Sequence, residues 1–519
     1  MRFEVKRKTQ TVIMSCQKLG RKLIKRGLTL TQRQGCTLGV ISKLKRHKEK
    51  EMLQTKLAKF VEETAEKFKI PGVAVGVRVD DQEVYACHGV TSIENPLLVD
   101  KDTLFVLGSV TKPFTATTLM RLVAEGKVKL DAPVRQYVPE LKLSDEKSAK
   151  KITVLNLLNH TSGLDWRVDV DSGEGDDALA REVAKLAGLK LVAPPGTRAS
   201  YSQAGYDLIG LIIEKVTGKM YEHAVASLVL EPLGLNHSFF ARDDVMTRRF
   251  AVGHNSDENG KLSIAKPWKF WRSNDPGGGL ASSVADQIRW ARFHLGDGRN
   301  ESGERILPAK ILHQMQEQTV ALRGSSLGDG IGICWFLREV DGIRAIEHGG
   351  SAHGQFAQLL IVPERNFAVV SLSNSDPNGI PFNQAVVRWA LQNYLGLVDS
   401  DLEPMPFDAT RAQEILGSYE NDFMTLGIET DGAGMKVDIH IRPEIRVGAK
   451  TELPPDPEPA DMGLLPGDKD EYIIINGAYK GQRGFFTRDK SGVIAGVDLA
   501  GRVFTRVPMD SASHQADKQ

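Results

Sequence analysis

Cysteine is scarce in this chain: four in 519 residues (Cys16, Cys36, Cys87, Cys334), widely spaced. That excludes a disulfide framework and a CxxC metal site, and it fits a reducing compartment. No stretch reaches the ~18 consecutive apolar residues of a membrane span, so no membrane-spanning helix is expected. Neither HExxH nor a Walker A run occurs, and Gly328-Asp329-Gly330-Ile331-Gly332 has no helical pattern after it. The twelve histidines are scattered, and His348 and His353 flank glycines in a poor ligand geometry. No metal and no cofactor are therefore expected. What is present is a globular composition, 41% hydrophobic and 26% charged, long enough for two to four domains.

The net charge of +1 conceals an asymmetry. Residues 1–50 hold fifteen Lys/Arg against Glu4 and Glu49, a net of +13, which leaves −12 for the rest. An acidic body excludes a nucleic-acid binder. The basic segment lacks the apolar core of a secretory signal and has the Arg/Lys-rich, acid-poor look of a mitochondrial transit peptide. Read plainly, it is a solvated arm. The cytoplasm is the expected location, with the mitochondrion as the alternative.

Apolar spacing predicts a helix from Met52 to Phe68 and a hairpin of Val73–Val79 with Glu83–His88. Helices follow at Val110–Glu125, Ile152–Asn159 and Ala204–Val216. Strands are expected at Gly330–Glu339, Ile343–Glu347, Gln355–Val362 and Phe367–Leu372, then a helix at Phe382–Leu395. Strands at both ends with helices between suggest one sheet built from the two ends of a domain, with a helical insertion. Beyond 398–408, an acidic linker with proline, a helix near Ala409–Leu416 precedes six short β segments, which read as a small antiparallel barrel. The expected organisation is a basic extension (1–51), a main domain of α/β (α+β) class (52–397), a linker (398–408), a barrel (409–510) and a frayed tail (511–519). Glu452–Met462, with four prolines and four acids, reads as a long loop reaching toward the mouth of the neighbouring cleft.

Three short motifs carry candidate chemistry. Ser109-Val110-Thr111-Lys112 follows an apolar run and Gly108, then opens an apolar helix. There the free N–H groups and positive dipole end can hold an oxyanion. A spacing of three puts Lys112 on the face of Ser109, where a buried lysine can lose its proton and activate the hydroxyl. Ser-x-x-Lys alone says little, since it occurs five more times. Tyr201 sits on a loop just before an amphipathic helix, and a nearby cation would lower its pKa and make it a base. Glu347-His348-Gly349-Gly350-Ser351 joins two β segments, and its glycines would let a substrate lie against the backbone. Each motif alone has a plainer reading: a capping serine beside a surface lysine, a packed tyrosine, a glycine-rich turn.

Together and in this order they resemble the serine β-lactamase and penicillin-binding-protein superfamily, nearest its class C-like esterase and D-aminopeptidase branch. Lys151–Leu164 (KITVLNLLNHTSGL), Pro195–Ile213 and Gly277–Asp286 (GGGLASSVAD) are similar to further family segments. The resemblance covers roughly residues 53–395. It implies a β-lactamase-like α+β fold, an antiparallel sheet flanked by helices with a helical subdomain. The C-terminal part resembles the lipocalin-like barrels of D-aminopeptidase-type members.

Carried over, the resemblance makes Ser109 the acyl-accepting nucleophile. Lys112 and Tyr201 share the proton transfers, and His348 takes the place of the third-motif cation or histidine. The backbone N–H groups of Ser109 and Ser351 form the oxyanion hole, with Gln203, Gly349 and Gly350 against substrate. Gln203 departs from the family's Asn by one methylene, and His348 from its Lys, which suits an esterase or peptidase better than a β-lactamase. The resemblance implies a serine hydrolase acting through an acyl-enzyme on a small-molecule ester or amide. The alternatives are an acyltransferase or transesterase of the same chemistry, a D-aminopeptidase, and, in another class, an inactive self-assembling scaffold. Self-assembly of some relatives admits a homo-oligomer.

Overall fold

A computed structural model describes residues 52–165, 172–257, 259–448, 453, 455–467 and 470–508. The basic segment 1–51, Glu452 and the tail 511–519 lie outside the described residues. The described chain opens with a helix over residues 52–67.

A hairpin follows, β1 (Gly72–Val79) and β2 (Gln82–Gly89), and six later strands complete its sheet. These are β3 (Val320–Ser325), β4 (Gly328–Ile331), β5 (Phe336–Val340), β6 (Ile343–Ala352), β7 (Gln355–Val362) and β8 (Phe367–Ser373). The order is β2-β1-β8-β7-β6-β5-β4-β3, antiparallel throughout. β1 lies against β8, from Val73↔Ser373 to Val79↔Phe367, so the sheet is made from both ends of the domain, as expected. The segment expected as one strand over 330–339 is two, because the chain turns between them at Cys334, whose φ is +75°.

β1, β7 and β8 are apolar without alternation because helices cover both faces. α3 (Val284–Leu295) packs on β1, β7 and β8, and α4 (Gly379–Ala390) packs on β7 and β8. Gly76 admits α3: a Cβ there would stand 2.7 Å from Ile288. Between the sheet's two halves lies the helical region, centred on α1 (Lys112–Ala124) and α2 (Gln203–Thr217). Ser202 caps α2 by accepting from the Gly205 N–H, and Gly218 ends it at φ +67°. Phe114 of α1 stacks on Trp290 of α3, centroids 4.0 Å apart, tying the two regions into one core.

β6 extends past its partner. Its pairing with β5 stops at Phe336↔Glu347, so residues 348–352 bond only to β7 and leave an open strand edge.

The C-terminal part is a closed eight-stranded antiparallel barrel running from Gly417 to Arg506. Two of its strands, Gly417–Glu420 and Ala460–Leu464, were not among the six expected. The second overlaps the end of the expected loop 452–462: Ala460, Met462 and Leu464 turn inward and Asp461 and Gly463 outward. A short helix, Ala409–Ile415, is capped by Asp408 and packs into the barrel core through Ala412 and Ile415. Polar contacts join barrel and sheet domain. The Ser326 N–H donates to the Arg483 carbonyl at 3.0 Å, and the Tyr201 N–H to the Gly501 carbonyl at 2.8 Å. The linker is pinned as well, by Asp399 against Arg338 at 3.1 Å.

Candidate active site

Ser109 sits in a single 3₁₀ turn, Gly108–Thr111, that feeds directly into α1 at Lys112. It is therefore just ahead of the α-helix rather than within it. Gly108 has φ +54°, and a Cβ on it would lie 2.6 Å from the Ser351 nitrogen. Across the gap, a Cβ on Gly350 would lie 2.8 Å from the Ser109 nitrogen. Only glycines let these two backbones meet, and the meeting brings the N–H groups expected of an oxyanion hole, Ser109 and Ser351, to adjacent chains.

Lys112 is wholly buried. Its Nζ lies 2.7 Å from Gln203 Oε1, 2.7 Å from the Gly277 carbonyl and 3.3 Å from Ser109 Oγ. The two short bonds consume two N–H donors. At Ser109 the same nitrogen offers either a third N–H or, as a free amine, a lone pair that accepts the hydroxyl proton.

The Tyr201 hydroxyl is hydrogen-bonded to Ser109, and Lys112 Nζ stands 4.9 Å from its ring centroid. The neighbouring cation was expected to lower the phenol's pKa. Instead burial pushes it well above the ordinary range, and the Ser109 bond and Arg502 pull back only in part. The resting residue is a neutral phenol.

His348 is buried, with its ring 6.4 Å from that of Tyr201 and Nδ1 2.7 Å from the Gly349 carbonyl. Burial, then Lys112, drops its pKa to about 3. The imidazole is neutral, with Nδ1–H donating to Gly349 and Nε2 presented as an acceptor.

Gln203 was expected to contact substrate. It lines the cleft, but its amide is engaged at both ends: Oε1 accepts from Lys112, and Nε2 donates to Asp207 Oδ1 at 3.0 Å. The extra methylene is accommodated by Gly277, where a Cβ would fall 1.7 Å from Gln203 Nε2. Gly349 and Gly350 line the same cleft on the open edge of β6.

The cleft encloses about 610 Å³. One wall is the helical region at Asn274, Gly277 and Gly278, and another is β6 from Glu347 to Ser351. The linker closes it at Asp399–Leu402, and the barrel at Lys480–Arg483 and Arg502. The Arg502 guanidinium lies 5.2 Å from the Tyr201 ring centroid. The described part of the 452–462 loop does not line the cleft. Asp456 faces other barrel groups, accepting from the Ile441 N–H at 2.9 Å and pairing with His440 and Arg446. Asp207, Asn274 and Arg502 were missed from sequence. Asp207 had one signal, its place one turn after Gln203 on α2, whereas Arg502 lies in a strand with no motif. Among the described residues, no cluster of His, Cys, Asp and Glu is arranged to hold a metal ion, and no helix is long and apolar enough to cross a membrane.

Known proteins share this architecture. Penicillin-binding protein 4 of Amycolatopsis lactamdurans is 32% identical over 361 residues, 68% of this chain and 94% of that one. The crystal structure of SurE superposes with a TM-score of 0.68 at 24% identity, over 88% of this chain and 99% of its own. The octameric penicillin-binding protein homologue from Pyrococcus abyssi gives 0.59 at 25% identity, over 87% and 99%. Both structural matches extend beyond the sheet domain into the C-terminal part. The beta-lactamase family model matches residues 57–392, the whole of the sheet and its helical region, and the chain belongs to that family.

Proposed function

We propose that the chain is a serine hydrolase that works through an acyl-enzyme on small esters or amides, with Ser109 as nucleophile. The observation that carries this reading is Ser109 Oγ held between Lys112 Nζ, 3.3 Å away, and the Tyr201 hydroxyl, in a cleft open to solvent. In acylation Lys112, as the free amine, takes the Ser109 proton while Oγ bonds to the substrate carbonyl carbon. The oxyanion that forms is met by the Ser109 and Ser351 N–H groups. Tyr201, a neutral phenol at rest, gives its proton to the leaving alcohol or amine as the carbonyl–heteroatom bond breaks, and is reprotonated from Lys112. Water then repeats the sequence in reverse and frees the acid and Ser109.

Acyl transfer to an alcohol or amine is the alternative, and the cleft favours keeping it. It runs past Ser109 to the linker and barrel, leaving room for an acceptor larger than water. The neutral His348 supports esters, or amides as in a D-aminopeptidase, over drugs that need a fixed cation at that position. The scaffold reading is disfavoured by the buried, hydrogen-bonded Lys112, an arrangement costly to keep without chemistry. Assembly into a homo-oligomer, as in the octameric Pyrococcus homologue, is compatible with it.

Intact-mass spectrometry after treatment with an alkyl p-nitrophenyl phosphonate tests the reading. One adduct mapped to Ser109, absent from Ser109→Ala, is expected. An adduct retained in Ser109→Ala overturns the assignment.

A further inference from the structure

The sequence KITVLNLLNHTSGL leaves one histidine that the proposed chemistry does not use. His160 is buried, 1% exposed, and stands in the left-handed region at φ +59°. That conformation is strained for a non-glycine residue, and the turn as such would be served better by glycine.

Its surroundings show what the side chain does there. The His160 carbonyl accepts from the Ser200 N–H at 2.9 Å, and its Nδ1 accepts from the Ser202 N–H at 3.1 Å. The residue between them is Tyr201, whose ring packs against the imidazole at a tilt, centroids 4.5 Å apart. The Tyr201 N–H itself donates to Gly501. Three consecutive N–H groups are thus tied down, two of them by His160. The left-handed turn is what lets one residue present both its carbonyl and its ring nitrogen to the same strand of chain. Because Nδ1 accepts, the ring proton is on Nε2, and burial together with Lys112 and His348 keeps the imidazole neutral. Tyr206 and Phe336 also lie against the imidazole, at 5.3 and 6.4 Å between centroids, so the buried ring is held by its neighbours.

We infer that His160 is a positioning residue for Tyr201: it grips the backbone on both sides of the tyrosine and packs against its ring, holding the phenol hydroxyl on Ser109. The inference rests on the proposed role of Tyr201 and adds a second, separable claim, that His160 acts through it. A misplacement of the order of 1 Å at a proton-transfer group costs about 100-fold in rate. The effect belongs in kcat, because His160 does not line the cleft.

The test is a double-mutant cycle on a p-nitrophenyl ester. His160→Gly keeps the turn and removes the grip, and should lower kcat about 10- to 100-fold with KM within about twofold. His160→Asn restores a short acceptor in a residue that tolerates the left-handed region, and should recover part of the loss. Tyr201→Phe alone tests the underlying reading: full activity in that variant refutes the role of Tyr201. In the Tyr201→Phe background, His160→Gly should cost less than about twofold, since nothing remains to position. An undiminished loss in that background, with Tyr201→Phe itself crippled, overturns the inference while leaving the role of Tyr201 intact. If His160→Gly fails to fold, the His160→Asn cycle is read the same way.

Discussion

The Tyr201 N–H donates to the carbonyl of Gly501, 2.8 Å away, so a barrel turn forms part of the frame around a residue of the candidate site. Gly501 has φ +71°, and a Cβ there would lie 2.1 Å from Leu327 Cδ1. Gly501→Ala therefore adds about 1–2 kcal/mol of backbone strain and pushes the turn off Tyr201. The expected outcome is a fall in kcat of about tenfold on a short ester. Gly492 is the control, a barrel-turn glycine at φ +86° with open space around its Cβ direction. Gly492→Ala carries the strain without touching the site, and its kcat should match the parent. Equal kcat for both variants would show that the barrel turn does not govern Tyr201.

The pairing of Gln203 with Gly277 makes a suppressor prediction. Gly277→Ala drives a methyl into the Gln203 amide and should displace both the amide and the Lys112 Nζ it holds. A loss of about 100-fold in kcat/KM is expected. Gln203→Asn withdraws the amide by one methylene and opens the space. The Gly277→Ala/Gln203→Asn double variant should regain at least about tenfold over Gly277→Ala alone. Strictly additive losses would separate the two positions.

What the sequence made legible follows the range of the interactions. The two-ended sheet was readable because β1, β7 and β8 carry long apolar runs whose lengths and turns identify them without knowledge of partners. The Ser109–Lys112 contact was readable because i, i+3 spacing on a helical turn fixes it locally. Strand Ala460–Leu464 was not, because its three inward residues are too few to register against the acidic, proline-rich stretch before them. The direction of the Tyr201 shift failed for a related reason: a neighbouring charge can be inferred from a motif, whereas burial depends on everything packed around the ring. Arg502 enters the cleft from 301 residues beyond Tyr201 in the chain, and no local pattern reports such a contact.

Lys112 and Tyr201 share one hydroxyl and, in the proposed mechanism, one proton. Lys112→Met and Tyr201→Phe should each lower kcat by about three orders of magnitude, and the double variant should be little worse than either. Circular dichroism and thermal unfolding identify any loss from misfolding, since Lys112→Met strands the Gln203 and Gly277 oxygens that accepted from it. Log-additive losses would mean that the two groups act in separate steps.

The last prediction concerns Asp498, on the barrel strand that leads to Gly501. It is 3% exposed, one carboxylate oxygen has no hydrogen-bond partner, and burial raises its pKa to about 7 against the opposing pull of Arg198 and the Gly501 N–H. An unfolded aspartate titrates near ~3.9. Between those two values the folded protein holds a proton that the unfolded chain has released. Stability from this group is therefore greatest below pH ~4 and is lost as the pH rises through about 7. Asp498→Asn has nearly the same shape and cannot ionise. Buried Asp275, also near 7, and Asp376, near 6, titrate in both proteins, so their contributions cancel in the difference. The melting temperature of the variant relative to the parent should rise from pH 5 to about pH 7, where most of the change falls, and level off toward pH 8. A difference that stays constant across that range would show that Asp498 keeps its charge in the folded state, with Arg198 and not burial setting its ionisation.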